Sequence, residues 1–210
     1  MNCPLCKSDA PTVFYNRAEH VFYKCNQCDA LFRPKEYYLD STKEHQRYLT
    51  HNNDVNDVGY QNFVRPIVTQ VVNNFDPAQH RGLDFGAGPG PVITKLLKEK
   101  NFNLALYDPY FWPETQVLQT TYDFIVCCEV VEHFNSPAIE FKRLHNLLNK
   151  DGQLICKTAL YDDSINFEQW YYKNDRTHVI FYTQKTLDWI AKEIGFKRVE
   201  TTSEVIVFYT

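Results

Sequence analysis

The sequence predicts an α/β fold with a mostly parallel sheet and helices on both faces, together with a small metal-binding module at the N-terminus. After Arg81 the apolar residues alternate between segments typical of strands and segments typical of helices, and this order implies a parallel sheet with crossover helices. A glycine-rich loop follows the first of these strands, and two closely spaced cysteine pairs stand near the N-terminus. These three observations define the predicted architecture.

The composition is that of a globular protein. The chain has 210 residues, of which 44% are hydrophobic, and this suffices for one full domain with a small appendage. The formal net charge is −4, and no block of Lys or Arg forms a phosphate-binding stripe, so nucleic-acid binding is not predicted. The apolar runs are far shorter than the ~20 residues needed to cross a bilayer, and no signal segment is recognisable. We expect a cytoplasmic protein.

Four of the seven cysteines form two C-x2-C pairs: Cys3, Cys6, Cys25 and Cys28. Each pair is a two-residue turn that directs two thiolates at one ion, and the separation of the pairs lies within the range of structural zinc sites. Short strands at 12–15 and 21–24 would bring the pairs together. Two disulfides or free thiols are the alternative, which a reducing compartment disfavours. The sequence predicts a zinc ribbon over residues 1–34.

A helical linker is predicted over residues 35–80. The segment 41–44, Ser-Thr-Lys-Glu, has the pattern of a capping box, with Ser41 as the cap of a polar helix. From 60 to 75 the apolar residues recur at helical spacing, and Pro66 is compatible with this second helix if it falls in an early turn.

The elements after Arg81 follow from the hydrophobic pattern. Strands are predicted at 82–85, 103–107, 122–128, 153–159, 196–202 and 204–209, and helices at 92–100, 138–148 and 187–194. Ser136 before Pro137 marks a helix start with a hydroxyl cap, and Gly195 marks a helix stop. The predicted third domain spans residues 81–210.

The loop between the first strand and its helix is the most informative segment. It reads Asp-Phe-Gly-Ala-Gly-Pro-Gly over residues 84–90, and its glycines let the backbone approach a ligand closely. In the dinucleotide-binding fingerprint a third glycine would stand at position 91, which is Pro91, and this disfavours an NAD-dependent dehydrogenase. The spacing instead resembles the first motif of class I S-adenosylmethionine (SAM)-dependent methyltransferases.

This resemblance covers residues 83–210 and implies a Rossmann-like methyltransferase sheet whose glycine loop curls around the methionine part of SAM. It implies these cofactor-binding residues: Asp84, Gly86, Gly88, Gly90, Asp108, Pro109 and Glu129. Asp108 stands where the family's acidic residue accepts the two ribose hydroxyls, a task that suits a carboxylate because it accepts two hydrogen bonds at once.

The segment 129–133, Glu-Val-Val-Glu-His, also resembles ubiquinone-type O-methyltransferases, for which a divalent-cation site has been proposed. Two carboxylates and an imidazole could hold a hard cation, or they cap a helix and line the cofactor pocket. Both interpretations stay open.

One departure from the family concerns residues 109–121, which are too few for its third strand and helix. The family's adenine-contacting acidic residue usually comes from that region, so no residue of this chain is assigned to that role. The aromatic residues at 110–112 either stack on the adenine or belong to the core.

The connection from about 159 to 187 is too long for a plain loop, which predicts a functional lid on the acceptor side. Residues 175–178 within it, Asp-Arg-Thr-His, resemble a recurring segment of the methyltransferase-23 type. His178 is the predicted general base, because imidazole titrates near neutrality, and His133 is the second candidate. A structural role is the alternative for either histidine.

The implied activity is SAM-dependent methyl transfer, with a small molecule as the preferred class of acceptor. One alternative is a methyltransferase that acts on protein or RNA and docks through the zinc ribbon, and another is a non-catalytic scaffold with the same fold. The balanced charge of the ribbon disfavours RNA, and the intact glycine loop with Asp108 disfavours the scaffold.

Overall fold

The structure of the chain is a computed structural model that describes residues 1–18, 20–50 and 54–210. The described residues form ten strands: β1 (Thr12–Arg17), β2 (His20–Lys24), β3 (Leu31–Phe32), β4 (Arg81–Phe85), β5 (Asn103–Tyr107), β6 (Tyr122–Cys128), β7 (Leu148–Lys157), β8 (Ile180–Phe181), β9 (Arg198–Thr201) and β10 (Ile206–Tyr209). They also form five α-helices: α1 (Ser41–Leu49), α2 (Val58–Asn74), α3 (Val92–Lys98), α4 (Pro137–Asn146) and α5 (Gln184–Ile194). None of these helices combines the length and apolar character that a membrane span needs.

The larger of two sheets has six strands in the order β5-β4-β6-β7-β10-β9. β4 pairs in parallel with β5 and β6, and β6 pairs in parallel with β7. β10 is antiparallel to both β7 and β9. The predicted α/β fold with a parallel sheet core is confirmed, and so is the adjacency of the last two strands.

Helices cover both faces of this sheet, because alternate residues of each strand point to opposite sides. On one face, Val126 of β6 shares a buried apolar cluster with Ile67 of α2 and with α3. On the other face, Ile125 shares a cluster with Phe141 of α4 and with α5. The predicted layers are confirmed.

Three predicted details of the helices were wrong. The cap of α1 is Asp40, whose side chain accepts the N–H of Lys43, because a carboxylate caps as well as a hydroxyl and also suits the positive helix start. Pro66 lies in the middle of α2, where the burial of the apolar face of the helix offsets the local cost of a proline. The Ser136 hydroxyl makes no capping hydrogen bond, although the helix does begin at Pro137.

The segment between β5 and β6 contains a short 3-10 turn, Thr115–Gln119, in place of a strand and helix. Within the described part of the chain, β5 is therefore an edge strand of the sheet. The expectation that the family's third strand does not fit is confirmed. β7 begins at Leu148 rather than near residue 153, since Leu148 pairs with Tyr122.

The second sheet joins the N-terminal segment to the long connection before α5. Its order is β1-β2-β3-β8, and the predicted strands at 12–15 and 21–24 are its first two. In the β3–β8 ladder Leu31 lies opposite Phe181, and Phe32 lies opposite Ile180. Phe32 also belongs to the apolar cluster that packs under the main sheet. The two sheets thus share one hydrophobic core.

Gly82 on β4 is expected to tolerate no side chain. A Cβ there would lie 2.1 Å from Cε2 of Phe124, which is fully buried. We expect Gly82→Ala to lower the free energy of unfolding by about 1–3 kcal/mol, the usual cost of overpacking a core, as measured by urea unfolding. In a Phe124→Leu background the loss should be smaller, and an equal loss there would contradict the proposed clash.

Candidate active site

A cavity of about 1480 Å³ opens at the carboxyl ends of β4, β5 and β6. This is where ligands bind in open parallel sheets, because the loops that leave the strands converge there. Gly86, Asp108 and Glu129, each just beyond the end of one of these strands, all line it. Single-ligand pockets typically have roughly 300–1,000 Å³, so this cavity has room for a cofactor and an acceptor together.

The glycine loop bends sharply into this cavity. Gly86 and Gly88 have φ angles of 78° and 62°, in the left-handed region that glycine adopts without steric cost. The N–H groups of Gly86 and Ala87 donate to the carbonyl of Tyr107 at 2.8 Å and 3.2 Å. A Cβ on Gly86 would lie 2.4 Å from Cγ2 of Val130. The loop is therefore held against the end of β5 with its backbone facing the cavity.

Asp84 lies beneath the loop rather than in the cavity. Among the described residues that line the cavity, neither Asp84 nor Gly90 is present. The Thr94 hydroxyl donates to Oδ2 of Asp84 at 2.7 Å, and burial raises the pKa of this carboxyl group to about 6. Asp84 thus ties β4 to α3 and supports the loop from behind.

Asp108 stands at the end of β5 and connects the glycine loop to the loop that follows β5. Its carboxylate accepts the backbone N–H groups of Gly88 at 3.0 Å, Tyr110 at 2.9 Å and Phe111 at 3.1 Å. The indole N–H of Trp112 donates to the carbonyl of Gly88 at 2.8 Å. A carboxylate offers about four acceptor positions. Binding two ribose hydroxyls at once therefore requires at least one of these N–H groups to release Asp108.

The aromatic residues at 110–112 are not core residues. Tyr110 and Phe111 are half-buried and line the cavity, whereas Trp112 is exposed. The Tyr110 hydroxyl donates to Oε2 of Glu44 at 2.9 Å, and its ring stacks on His45 with centroids 4.8 Å apart. Helix α1 therefore holds Tyr110 at the cavity wall.

Five side chains form a connected cluster in the cavity and its wall: Glu129, Glu132, His133, Tyr172 and His178. The Tyr172 hydroxyl donates to Glu132 and also lies 3.1 Å from Oε2 of Glu129. The rings of His133 and His178 are 4.8 Å apart, and those of Tyr172 and His178 are 4.2 Å apart. Both predicted base candidates therefore lie in one cluster with two carboxyl groups.

The histidine ring nitrogens have defined roles. Nδ1 of His178 lies 2.8 Å from the carbonyl oxygen of Tyr172, and Nδ1 of His133 lies 3.0 Å from that of Thr177. A carbonyl oxygen only accepts, so in each neutral imidazole Nδ1 carries the proton and Nε2 is left as a proton acceptor.

Burial sets the charge state of this cluster. Burial lowers the pKa of His178, and the neighbouring His133 lowers it further, so His178 is neutral at pH 7. Burial also raises the pKa of Glu129 to about 8, with the charge of Glu132 as the second cause. The pKa of Glu132 is raised by its complete burial.

Part of the cluster has the donor set of a cation site. Glu132, His133 and His178 offer ligand atoms that lie within 4.8 Å of one another. Oε2 of Glu132 is buried and has no hydrogen-bond partner among the described residues. Two imidazoles and a carboxylate could hold a divalent transition metal.

Two contributors to the cavity were not predicted from the sequence. Helix α1, predicted only as a linker, supplies Glu44, Arg47 and Tyr48 to the lining, and Arg47 forms an ion pair of 2.6 Å with Asp175. Tyr172 was treated only as part of the lid. Its signal was an aromatic pair, residues 171–172, inside a connection too long to be a simple loop.

The two cysteine pairs lie in equivalent turns. The N–H of Lys7 donates to the carbonyl of Cys3 at 3.0 Å, and that of Asp29 donates to the carbonyl of Cys25 at 3.0 Å. Lys7 and Asp29 also share a left-handed φ, of 65° and 63°. The N-terminal segment thus contains the same cysteine turn twice.

The four thiols of these turns converge. The Sγ atoms of Cys3 and Cys28 are 3.6 Å apart, those of Cys6 and Cys25 are 3.3 Å apart, and all four lie within 4.8 Å of one another. Tetrahedral zinc with Zn–S bonds of about 2.3 Å requires Sγ atoms about 3.8 Å apart. All seven cysteines of the chain are free thiols. The donor set and its spacing fit a zinc ion.

Comparison with known proteins relates this architecture to methyltransferases. The family described as a methyltransferase domain matches residues 58–201. No protein of curated function matches the sequence of the chain.

Two solved structures illustrate the likeness of fold. Burkholderia thailandensis 1,6-didemethyltoxoflavin-N1-methyltransferase, with bound 1,6-didemethyltoxoflavin and S-adenosylhomocysteine, has a TM-score of 0.57 at 16% identity, over 95% of this chain and 99% of its own. Human N-acetylserotonin methyltransferase in complex with SAM has a TM-score of 0.56 at 13% identity, over 81% of this chain and 56% of its own. The Rossmann-like fold is thereby confirmed.

Proposed function

The chain belongs to the methyltransferase domain family, whose match covers residues 58–201, and is a SAM-dependent methyltransferase; we propose that its acceptor is a small molecule. One observation carries this proposal. A single cavity of about 1480 Å³ is lined both by the glycine loop and by the histidine and carboxyl cluster around Tyr172. Cofactor and acceptor can therefore meet within one cavity of the protein.

We assign the cofactor to the glycine-loop side of the cavity. SAM supplies a methyl group on a positively charged sulfur. Gly86 and Gly88 let the backbone approach its methionine part, and Asp108, followed by Pro109, accepts the ribose hydroxyls. Glu129, at the end of β6, faces the same space. Asp84 supports the loop indirectly through Thr94.

We assign the proton transfer to His178. Bound SAM would supply the methyl group and leave as S-adenosylhomocysteine, and Nε2 of His178 would take up the O–H or N–H proton that the acceptor loses on methylation. The Tyr172 carbonyl fixes the orientation of the imidazole through Nδ1. The carboxyl group of Glu132 lies close enough to stabilise the positive charge that develops on the ring. His133 is the second candidate.

The dimensions of the site favour a small acceptor. The Burkholderia enzyme, similar over nearly its whole length, holds a small molecule and S-adenosylhomocysteine together. Docking of a protein or RNA through the N-terminal segment is the alternative, and the balanced charge of this segment disfavours RNA. A scaffold without turnover is disfavoured by the polar cluster next to the cofactor side of the cavity.

We further propose that residues 1–34 form a structural zinc ribbon, that residues 35–80 connect it to the SAM-binding domain, and that this domain spans 81–210. Zinc would occupy all four thiolates and keep no open position for catalysis. Thiols that must stay reduced for metal binding favour the cytoplasm as the location.

Titration calorimetry with S-adenosylhomocysteine, and separately with NAD, tests the cofactor assignment. We expect the first alone to bind. Asp108→Ala should weaken binding about tenfold or more, because each hydrogen bond to a charged group contributes about 1.5–3 kcal/mol.

Asp123→Ala is the matched control for this titration, since Asp123 also accepts a backbone N–H, that of Arg81 at 2.9 Å, but does not line the cavity. It should leave the affinity unchanged. NAD binding, or equal affinities of Asp108→Ala and the wild type, would refute the assignment.

A further inference from the structure

Arg33 is a buried cation at the junction of the two sheets. It follows β3 directly and is only 1% exposed. Its backbone N–H donates to the carbonyl of Val179 at 2.8 Å, and its Nη2 donates to the carbonyl of Lys173 at 3.4 Å. Its guanidinium lies 4.8 Å from the centre of the Phe22 ring. Burying a charge is costly unless its partners are well placed.

The partners of Arg33 stand next to the residues of the site. Lys173 directly follows Tyr172, and Val179 directly follows His178. The Arg33 side chain therefore contacts one end of the turn that carries the tyrosine hydroxyl and the imidazole of the cluster, at Lys173, and the Arg33 backbone contacts the other end, at Val179. Arg33 does not itself line the cavity.

The segment that contains this turn has little regular secondary structure. Between β7 and β8 the described chain forms only a short 3-10 turn, Tyr171–Asn174. Beyond the contacts of Arg33, the pairing of β3 with β8 fixes the chain as far as Phe181. An aromatic cluster fills the space between the two segments, with the rings of Phe22 and Phe181 5.2 Å apart. The N-terminal sheet is thus one of the elements that fix this turn, together with the ion pair of Arg47 with Asp175 and the contact of His133 with the Thr177 carbonyl.

We propose that Arg33 is a positioning residue of the methyl-transfer site, through which the four-cysteine segment holds Tyr172 and His178 on the acceptor side. This inference rests on the proposed function at one point, which is the assignment of this turn to the acceptor side of the cavity. The cofactor side depends on the glycine loop and β5, which line the cavity, whereas Arg33 does not line it. We therefore expect a defect at Arg33 to affect the turn more than the cofactor side.

Hydrogen–deuterium exchange of the full-length, metal-loaded protein measures how firmly Arg33 restrains the turn, and it needs no acceptor. In Arg33→Ala, amide exchange over residues 171–181 should rise about tenfold, the effect of losing one hydrogen bond to a charged donor. The NMR signal of the His178 ring, identified by its absence in a His178→Gln variant, should shift. Exchange in β6 and the affinity for S-adenosylhomocysteine should change less than about twofold.

Two further variants separate positioning from general stability. Arg33→Lys keeps a cation over Phe22 and should restore part of the protection over 171–181. Arg17→Ala removes another contact between the same two segments, the exposed ion pair of 3.1 Å with Glu168. Exposed pairs contribute little, so this control should leave both the exchange and the His178 signal unchanged.

Removal of metal from the wild type by a chelator gives an independent readout. If the proposal holds, exchange rises over residues 3–34 and over 171–181 together, and it rises by a clearly smaller factor in β6. The proposal is overturned if 171–181 stays protected after chelation or in Arg33→Ala, or if β6 loses protection to the same extent. Failure of the wild type to bind S-adenosylhomocysteine would refute the proposed function and leave these exchange results interpretable.

Discussion

Replacing Cys28 with alanine is expected to abolish zinc binding and to lower the thermal stability of the whole chain. Zinc binding by small cysteine modules contributes apparent free energies of about 10–16 kcal/mol at pH 7, whereas whole domains are stable by only about 5–15 kcal/mol. Cys28 and Phe32 belong to the same apolar cluster as the main sheet. Loss of the metal therefore removes part of the core of the larger domain as well.

Metal analysis and thermal unfolding followed by circular dichroism measure this effect. We expect one zinc per wild-type chain and none in Cys28→Ala. Cys156→Ala is the control, because it also removes a buried thiol but one that lies on β7, outside the four-cysteine group. It should keep its zinc and lose little stability. A full zinc equivalent in Cys28→Ala would refute the four-thiolate site.

The second large effect is expected from His178→Gln, which should lower turnover about 10²- to 10⁴-fold, the usual contribution of a general base. Glutamine preserves a polar side chain of similar length but takes up no proton near neutral pH. The affinity for S-adenosylhomocysteine should stay within about twofold, because His178 belongs to the acceptor side. Turnover is measured with an acceptor identified by screening small phenols, amines and heterocycles.

The pH dependence of turnover provides the internal check on His178. Since burial lowers the pKa of His178 below 6.5, the wild-type rate should fall as the pH drops through that lowered value, where the imidazole becomes protonated. His133→Gln should reduce turnover less. Unchanged turnover in His178→Gln would remove this residue from the mechanism.

The sequence predicted the central sheet well because its signals are local. Strands β4, β5 and β6 are short apolar runs bounded by turns, and α5 ends at Gly195, which has a φ of 106°. Such patterns depend only on residues close together in the chain. The cap of α1 was misplaced because Asp40 and Ser41 are adjacent and both are good caps. Pro66 was misjudged because tertiary packing overrides helix propensity.

The candidate site was predictable only in part. The glycine loop and Asp108 have characteristic spacing, and seven of the nine residues predicted for catalysis or cofactor binding line one cavity: Gly86, Gly88, Asp108, Pro109, Glu129, His133 and His178. Their roles stay predictions. Tyr172 and helix α1 were missed because no local pattern reports a contact between distant segments. The pairing of β3 with β8 was missed for the same reason, since two-residue strands have no periodicity.

The pairing of β3 with β8 also has a consequence for the order of events during synthesis. Arg33 and Lys173 are 140 residues apart in the chain, so the N-terminal sheet stays incomplete until residues 180–181 have left the ribosome. The cysteine turns emerge before β8 and can bind metal at once. Leu31 and Phe32 of β3 then lack their pairing partners until β8 has been synthesised. Contacts of such long range form slowly and leave apolar edges open to aggregation. Nascent chains stalled before residue 180 should therefore require a chaperone that covers this edge.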